Sequence, residues 1–220
     1  MRKETMRAVE VLEVGIDAAA GLTRELIATV GGVCDRAEDS QGAVVVLRTL
    51  GATGHVPAPD MAVLTKWEGV LRRLERLPAA SVAAMSGPCA GVALDAAMAA
   101  DYRVAHPKTE LVLSTASGEV WPGMALYRMG RLSQRGPARR AVLFGMPVGA
   151  DEAFAAGLVD ELSEKPVAGA ARLVGHLSGG WGADLAIRRD LLWGSTAEFE
   201  GALGGHLAAC DRVLRRAASV

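Results

Sequence analysis

The stretch Ser86-Gly-Pro-Cys-Ala-Gly-Val-Ala-Leu-Asp95 sets a tight turn of small residues directly before an alanine-rich segment that reads as a helix over residues 91–100. Backbone N–H groups in the first turn of a helix have no intrahelical acceptor, so such a start can hold an oxyanion. The same residues also suit a close-packed turn in which glycine and alanine let two elements approach. Asp95 lies one turn beyond Val92, so its carboxylate can reach back toward a ligand held at the helix start and move a proton there. It can equally be a helix residue satisfied by a neighbour or a subunit contact. Other chemistry finds little support. The three cysteines (Cys34, Cys89, Cys210) are far apart and lack CxxC spacing, and they read as small buried hydrophobes. The four histidines (His55, His106, His176, His206) show no paired ligand spacing, so no metal is expected.

The elements that must position these residues follow from periodicity. Residues 8–14 read as a first strand, and 21–37 carry Leu22, Leu26, Ile27, Val30, Val33 and Cys34 at helical spacing. The β-branched run 43–47 suits a strand covered on both faces, here taken as the central one, in a mostly parallel sheet. Gly51, Gly54, Pro57 and Pro59 make residues 49–60 a loop at that strand's carboxyl end, where ligands bind in open α/β sheets. Residues 67–77 form an amphipathic helix stopped by Pro78, and 81–85 another apolar strand leading into the turn at Ser86. Short strands are expected at 102–105 and 110–113. Helical patterns dominate from Arg135, broken only by residues 157–162, with no internal repeat or low-complexity tract. This alternation predicts an α/β domain with right-handed crossovers.

A chain of 220 residues suits one well-buried domain. No apolar stretch reaches the roughly 18 to 20 residues of a membrane span. The basic start is followed by Glu10 and Glu13 without a small-residue cleavage pattern, so a cytoplasmic location is expected. A formal net charge of −1, with both signs mixed along the chain, argues against nucleic acid as a partner.

Segment 86–101 resembles the Asn-Gly-x-x-x-Gly-Gly-Gly-x-x-Leu…Asp segment of the crotonase family, the enoyl-CoA hydratases and isomerases. The resemblance runs without a gap from Ala105 to Trp121-Pro-Gly123. Its most specific part is Arg140-Ala-Val-Leu-Phe-Gly-Met-Pro-Val-Gly-Ala-Asp-Glu-Ala-Phe-Ala-Ala-Gly-Leu-Val-Asp160, similar to the family's helix, glycine turn and Ala…Ala…Gly-Leu-Val stretch. It covers roughly residue 8 to the end, although the family's Asn-Arg-Pro turn after the first strand is missing. The resemblance implies a crotonase fold, a ClpP-like ββα spiral, with a core over 1–165 and a helical trimerisation region over 166–220. A homotrimer or a dimer of trimers is then expected, through a helix over 197–216 whose apolar stripe includes Phe199, Leu203 and Leu207.

In that family two backbone N–H groups cup the thioester oxygen and stabilise an enolate in a water-poor pocket. The resemblance places Val92, next to Gly91, on the second donor, and a backbone donor survives the loss of glycine. The first donor's loop has its counterpart in Pro57-Ala-Pro-Asp60. A proline on the donor position removes the N–H, whereas Ala58 supplies it in a shifted register. The family's two glutamates align with Asp95 and Thr115. Thr115 does not titrate in the physiological range, and Glu119 is the nearest carboxylate able to substitute or, equally, an exposed loop charge. Thr115, Pro122 and Gly123 fall on the expected acyl-CoA-binding surface. Arg139, Arg140, Arg188, Arg189, Arg212, Arg215 and Arg216 are candidates for CoA phosphates or for solvated helix faces, and Trp181 and Trp193 for core or interface anchors. A coenzyme A thioester is thus expected as substrate or ligand, with no other cofactor. The expected activity is hydratase, isomerase or thioester hydrolase chemistry, reduced or altered, or else a helper's binding without turnover. Short length and the lost glutamates look most similar to the small auxiliary crotonase-like members of dihydroxyphenylglycine formation in glycopeptide antibiotic biosynthesis. That likeness implies a type III polyketide synthase as a partner.

Overall fold

A computed structural model describes residues 9–40, 42–51, 60–116, 119–120, 123–133, 136–176 and 182–193. β1 (Val11–Asp17) leads through a 3-10 turn (Ala18–Ala20) to α1 (Arg24–Asp39), β2 (Val44–Leu50), α2 (Met61–Leu74), β3 (Ala80–Ser86), β4 (Pro88–Cys89) and α3 (Gly91–Ala99). Then come β5 (Tyr102–Ala105), β6 (Glu110–Leu111), β7 (Thr115–Ala116), β8 (Glu119–Val120), α4 (Met124–Leu132) and α5 (Gly136–Phe144). β9 (Val148–Gly149), α6 (Ala150–Ala156), β10 (Glu161–Leu162), α7 (Pro166–His176) and α8 (Gly182–Trp193) complete the described chain.

Five strands form one parallel sheet in the order β1-β2-β3-β5-β10. The middle strand is therefore β3 and not β2, which corrects the expectation from sequence. Both are apolar runs buried on both faces, and composition alone does not rank them. β1 starts three residues later than expected and alternates exposed and buried side chains, as an edge strand with one dry face does. On one face Leu12, Val14, Ile16, Leu47 and Met85 pack against α1, α2 and α3, with Trp67, Leu71 and Leu74 of α2 fully buried. On the other, Val44, Val46, Val82 and Val104 meet Ala170 and Val174 of α7. Gly169 lets α7 come this close, because a Cβ there would stand 2.8 Å from Val104 Cγ1.

α2 begins six residues before the expected helix, at Met61, with the Asp60 carboxylate accepting from Ala62 N–H at 2.9 Å. This N-cap satisfies one of the orphan donors of the first turn. β4, β6 and β9 make a small second sheet, and β7 pairs with β8 antiparallel. β9 also interrupts the helical second half, which the sequence pattern had broken only at 157–162. The expected helix over 197–216 lies outside the described residues.

Candidate active site

The site assembles at the carboxyl ends of β2 and β3. After Ser86 the chain turns at Gly87 (φ +72°), runs through β4, and enters α3 at Gly91 (φ +53°), both in the left-handed region that glycine tolerates. The N-cap, Ala90, has no side-chain acceptor. Its carbonyl takes Ala93 and Leu94 N–H at 3.2 and 3.4 Å, and no described acceptor stands against the N–H groups of Gly91 and Val92. Gly51, just beyond β2, braces this turn: a Cβ there would fall 1.5 Å from the Pro88 carbonyl oxygen.

α3 is buried on nearly every side, and Asp95 is its one charged residue. The carboxyl is half-buried. It accepts from Trp67 Nε1 of α2 at 3.4 Å, and the backbone N–H of Ala125, in the first turn of α4, favours its charged form. Burial pushes its pKa up to about 6, and the Glu68 carboxylate adds to the rise. Arg128, the Trp67 indole and the Ala125 N–H pull the other way. Arg128 is itself 5% exposed and bridges α4 to α2, with Nε to Glu75 Oε1 at 2.7 Å and Nη2 to Glu68 Oε2 at 3.0 Å. A carboxyl poised near neutrality, one turn beyond helix-start N–H groups that have no acceptor among the described residues, can exchange a proton with a ligand whose oxygen sits at those groups.

A small cavity of about 40 Å³ opens here, walled by Gly91, Val92, Asp95, Leu113, Ser114 and Gly123 among others. That is room for about one water molecule or a carbonyl-sized group. Ser114 is 8% exposed, and its Oγ has no hydrogen-bond partner among the described residues. Leaving a buried hydroxyl unpaired costs about 1 to 3 kcal/mol.

The structure thus brings together Gly91, Val92, Asp95 and Gly123. Thr115 is not on that wall: it is exposed and pairs with Val120 across β7 and β8. Glu119 is placed only as backbone, opposite Ala116. Ala58 and Pro122 lie outside the described residues, as do Trp181, Cys210 and the three distal arginines. Cys89 is buried, which pushes its thiol up to about 12 and makes it inert as a nucleophile. Arg189 is not on a solvated helix face. It is buried, donating to both Asp101 carboxylate oxygens and to the carbonyls of Leu77 and Ala79. Arg140 pairs with Glu152 at 2.9 Å on a helix face. Trp67, Glu68, Arg128 and Ser114 escaped the sequence reading, since none carries a motif. A spacing of Leu64, Trp67, Leu71 and Leu74 was the one available sign that Trp67 faces inward. Among the described residues no three His, Cys, Asp or Glu side chains are grouped to hold a metal, and no helix is long and apolar enough to cross a membrane.

The enoyl-CoA hydratase/isomerase family model matches residues 48–176, the part of the chain that builds the turn, α3, Asp95 and α4. A protein of Amycolatopsis orientalis named enoyl-CoA-hydratase is 43% identical over 209 residues, covering 93% of this chain and 96% of its own. Among solved structures, an enoyl-CoA hydratase/isomerase family protein from Silicibacter pomeroyi has a TM-score of 0.79 at 19% identity, covering 93% of this chain and 96% of that one. The enoyl-CoA hydratase of Bacillus anthracis has a TM-score of 0.78 at 18% identity, covering 92% and 87%. These neighbours share the crotonase fold, and with the family match and the 43% identical relative they lead to one conclusion: the chain belongs to the enoyl-CoA hydratase/isomerase family.

Proposed function

We propose that the chain binds a coenzyme A thioester with its carbonyl oxygen at the N–H groups of Gly91 and Val92, and that Asp95 moves a proton at the acyl Cα. The observation that carries this reading is the half-buried Asp95 carboxyl, raised to about 6, on the wall of the cavity that the uncapped start of α3 also lines. An N–H pair stabilises the charge that develops on the thioester oxygen, and a group titrating near the working pH is the better proton carrier. Hydration by paired acid and base is disfavoured, because Thr115 brings no titratable group and faces solvent. Val92, Asp95 and Thr115, where the family pattern has glycine and two glutamates, support altered chemistry. We place it on, or in support of, a polyketide-derived acyl-CoA beside a type III polyketide synthase in dihydroxyphenylglycine formation, in a homotrimer or dimer of trimers.

The name borne by the Amycolatopsis orientalis relative favours a second reading, an active hydratase or isomerase of general acyl-CoA metabolism. Thermal-shift titration with CoA thioesters, run with crotonyl-CoA hydration, separates the two. Ligand stabilisation without appreciable hydration supports the first. Turnover of order 10 s⁻¹ or more supports the second, and no stabilisation by any CoA thioester refutes both. Light scattering at micromolar concentration tests the assembly, which a clean monomer overturns.

A further inference from the structure

We infer that the arginine-walled cavity where α2, α3 and α4 end is a second ligand site, one that takes a small phosphate monoester. It measures about 240 Å³, roughly six times the cavity beside Asp95, and the two share no wall residue. Met98, Ala99 and Ala100 place it at the far end of α3 from Gly91, about 12 Å along the helix. The inference therefore stands apart from the acyl-CoA reading. Five arginines line the cavity, Arg72, Arg76, Arg128, Arg131 and Arg189, against two carboxylates, Glu75 and Asp101.

Both carboxylates are already committed. Asp101 accepts from Arg189 with both oxygens and from the Ser81 N–H at 2.7 Å. Glu75 takes the buried Arg128 at 2.7 Å and Arg72 at 3.4 Å, while Glu68, off the wall, also holds Arg128. Positive charge is left over: Arg76 is exposed and holds no ion pair among the described residues, and Arg72 shares its glutamate. Arg131 adds a further guanidinium, set over the Tyr127 ring at 5.6 Å. A basic last turn by itself complements a helix dipole, but here two such turns, of α2 and α4, converge on one hollow. The end of α3 does not require them, since Arg103 already donates to the Ala100 carbonyl at 2.7 Å. Met98 and Leu132 give the hollow apolar walls, and a cleft of one charge sign with low-dielectric walls focuses its field on a counter-ion. Guanidinium forks arriving from two helices suit a tetrahedral phosphate, which offers oxygens on several sides, better than a planar carboxylate that one fork fills. The apolar part of the wall then takes the ester's short carbon group, and the volume keeps that group small.

Calorimetric titration with glycerol 3-phosphate, with glycerol as the uncharged control, tests the site. The wild type is expected to bind the ester and not glycerol. Arg76→Gln combined with Arg131→Gln should weaken the ester about tenfold or more. Arg76→Gln alone, at an exposed side chain with no ion pair to break, should already show a loss of about threefold or more. Arg172→Gln removes an exposed arginine of α7 outside the cavity and should change nothing. No loss in the Arg76 variants, or an equal loss in Arg172→Gln, overturns the inference, as does a wild type that binds glycerol as well as the ester. Displacement of the ester by coenzyme A in simple competition also overturns it, because the arginines would then serve that molecule's own phosphates. A wild type that does not bind the ester refutes this inference and leaves the acyl-CoA reading standing.

Discussion

Replacing Gly51 by alanine adds one methyl group where the structure has no room for it. The new Cβ would lie 1.5 Å from the Pro88 carbonyl oxygen and 2.5 Å from its carbon, backbone atoms that no rotamer change can move. Restoring even a 3.0 Å contact requires the strand end or the turn to shift by about 1.5 Å. Pro88 is three residues ahead of Gly91, so the shift is delivered to the start of α3 and its N–H groups. Overpacking of this kind costs about 1 to 3 kcal/mol, which lowers the Tm of a domain this size by about 2 to 12 °C. A displacement near 1 Å at a positioned donor can cost about 100-fold in rate. Gly51→Ala should therefore lose thioester stabilisation in a thermal-shift titration out of proportion to its loss of Tm. Gly31, in α1 with nothing within 4 Å of an added Cβ, is the control: Gly31→Ala should gain about 0.5 to 1 kcal/mol and bind normally. A Gly51→Ala protein with unchanged Tm and unchanged ligand response would refute the argument that this glycine braces the turn.

Asp95→Asn tests the carboxyl from the side of stability. The folded protein raises its pKa from 3.8 to about 6, so between those values the native state holds a proton that the unfolded chain releases. Native stability then falls as pH rises through that window, and the full cost, on the order of 3 kcal/mol, is present at pH 7 and absent below about pH 4. Urea melts should show Asp95→Asn more stable than the wild type at pH 7 with the gap closing toward pH 4, and a gap independent of pH would contradict this. The same substitution should lower thioester turnover by about 100-fold while leaving CoA affinity nearly unchanged; an unchanged rate would remove Asp95 from the mechanism. Arg128→Met strips Glu68 and Glu75 of their shared partner and should cost about 3 to 5 kcal/mol in denaturant melts. It should also move the Asp95 titration further upward, since Arg128 is the cation that lowers it; loss of stability without that movement would mean the two groups are not coupled.

The parts of this molecule legible in its sequence are those whose cause is local. The apolar runs of β2 and β3 announce strands buried on both faces, and the small-residue turn before α3 announces a helix start that a ligand can approach, with Gly91, Val92 and Asp95 in one stretch. Two-residue strands such as β4, β7 and β9 have no such signature, because pairing partners alone define them. The chemistry of Asp95 is of this second kind. Its indole donor is 28 residues away, and the pairing of Arg128 with Glu68 spans 60. No window of residues contains both the acid and the groups that tune it. The fold contributes what spacing cannot: α2 and α4 close over α3, withdraw one carboxyl from water, and set a like charge and an opposite charge at its side. That is how a short-stemmed aspartate, which would be an ordinary carboxylic acid on an exposed helix, comes to titrate near neutrality here.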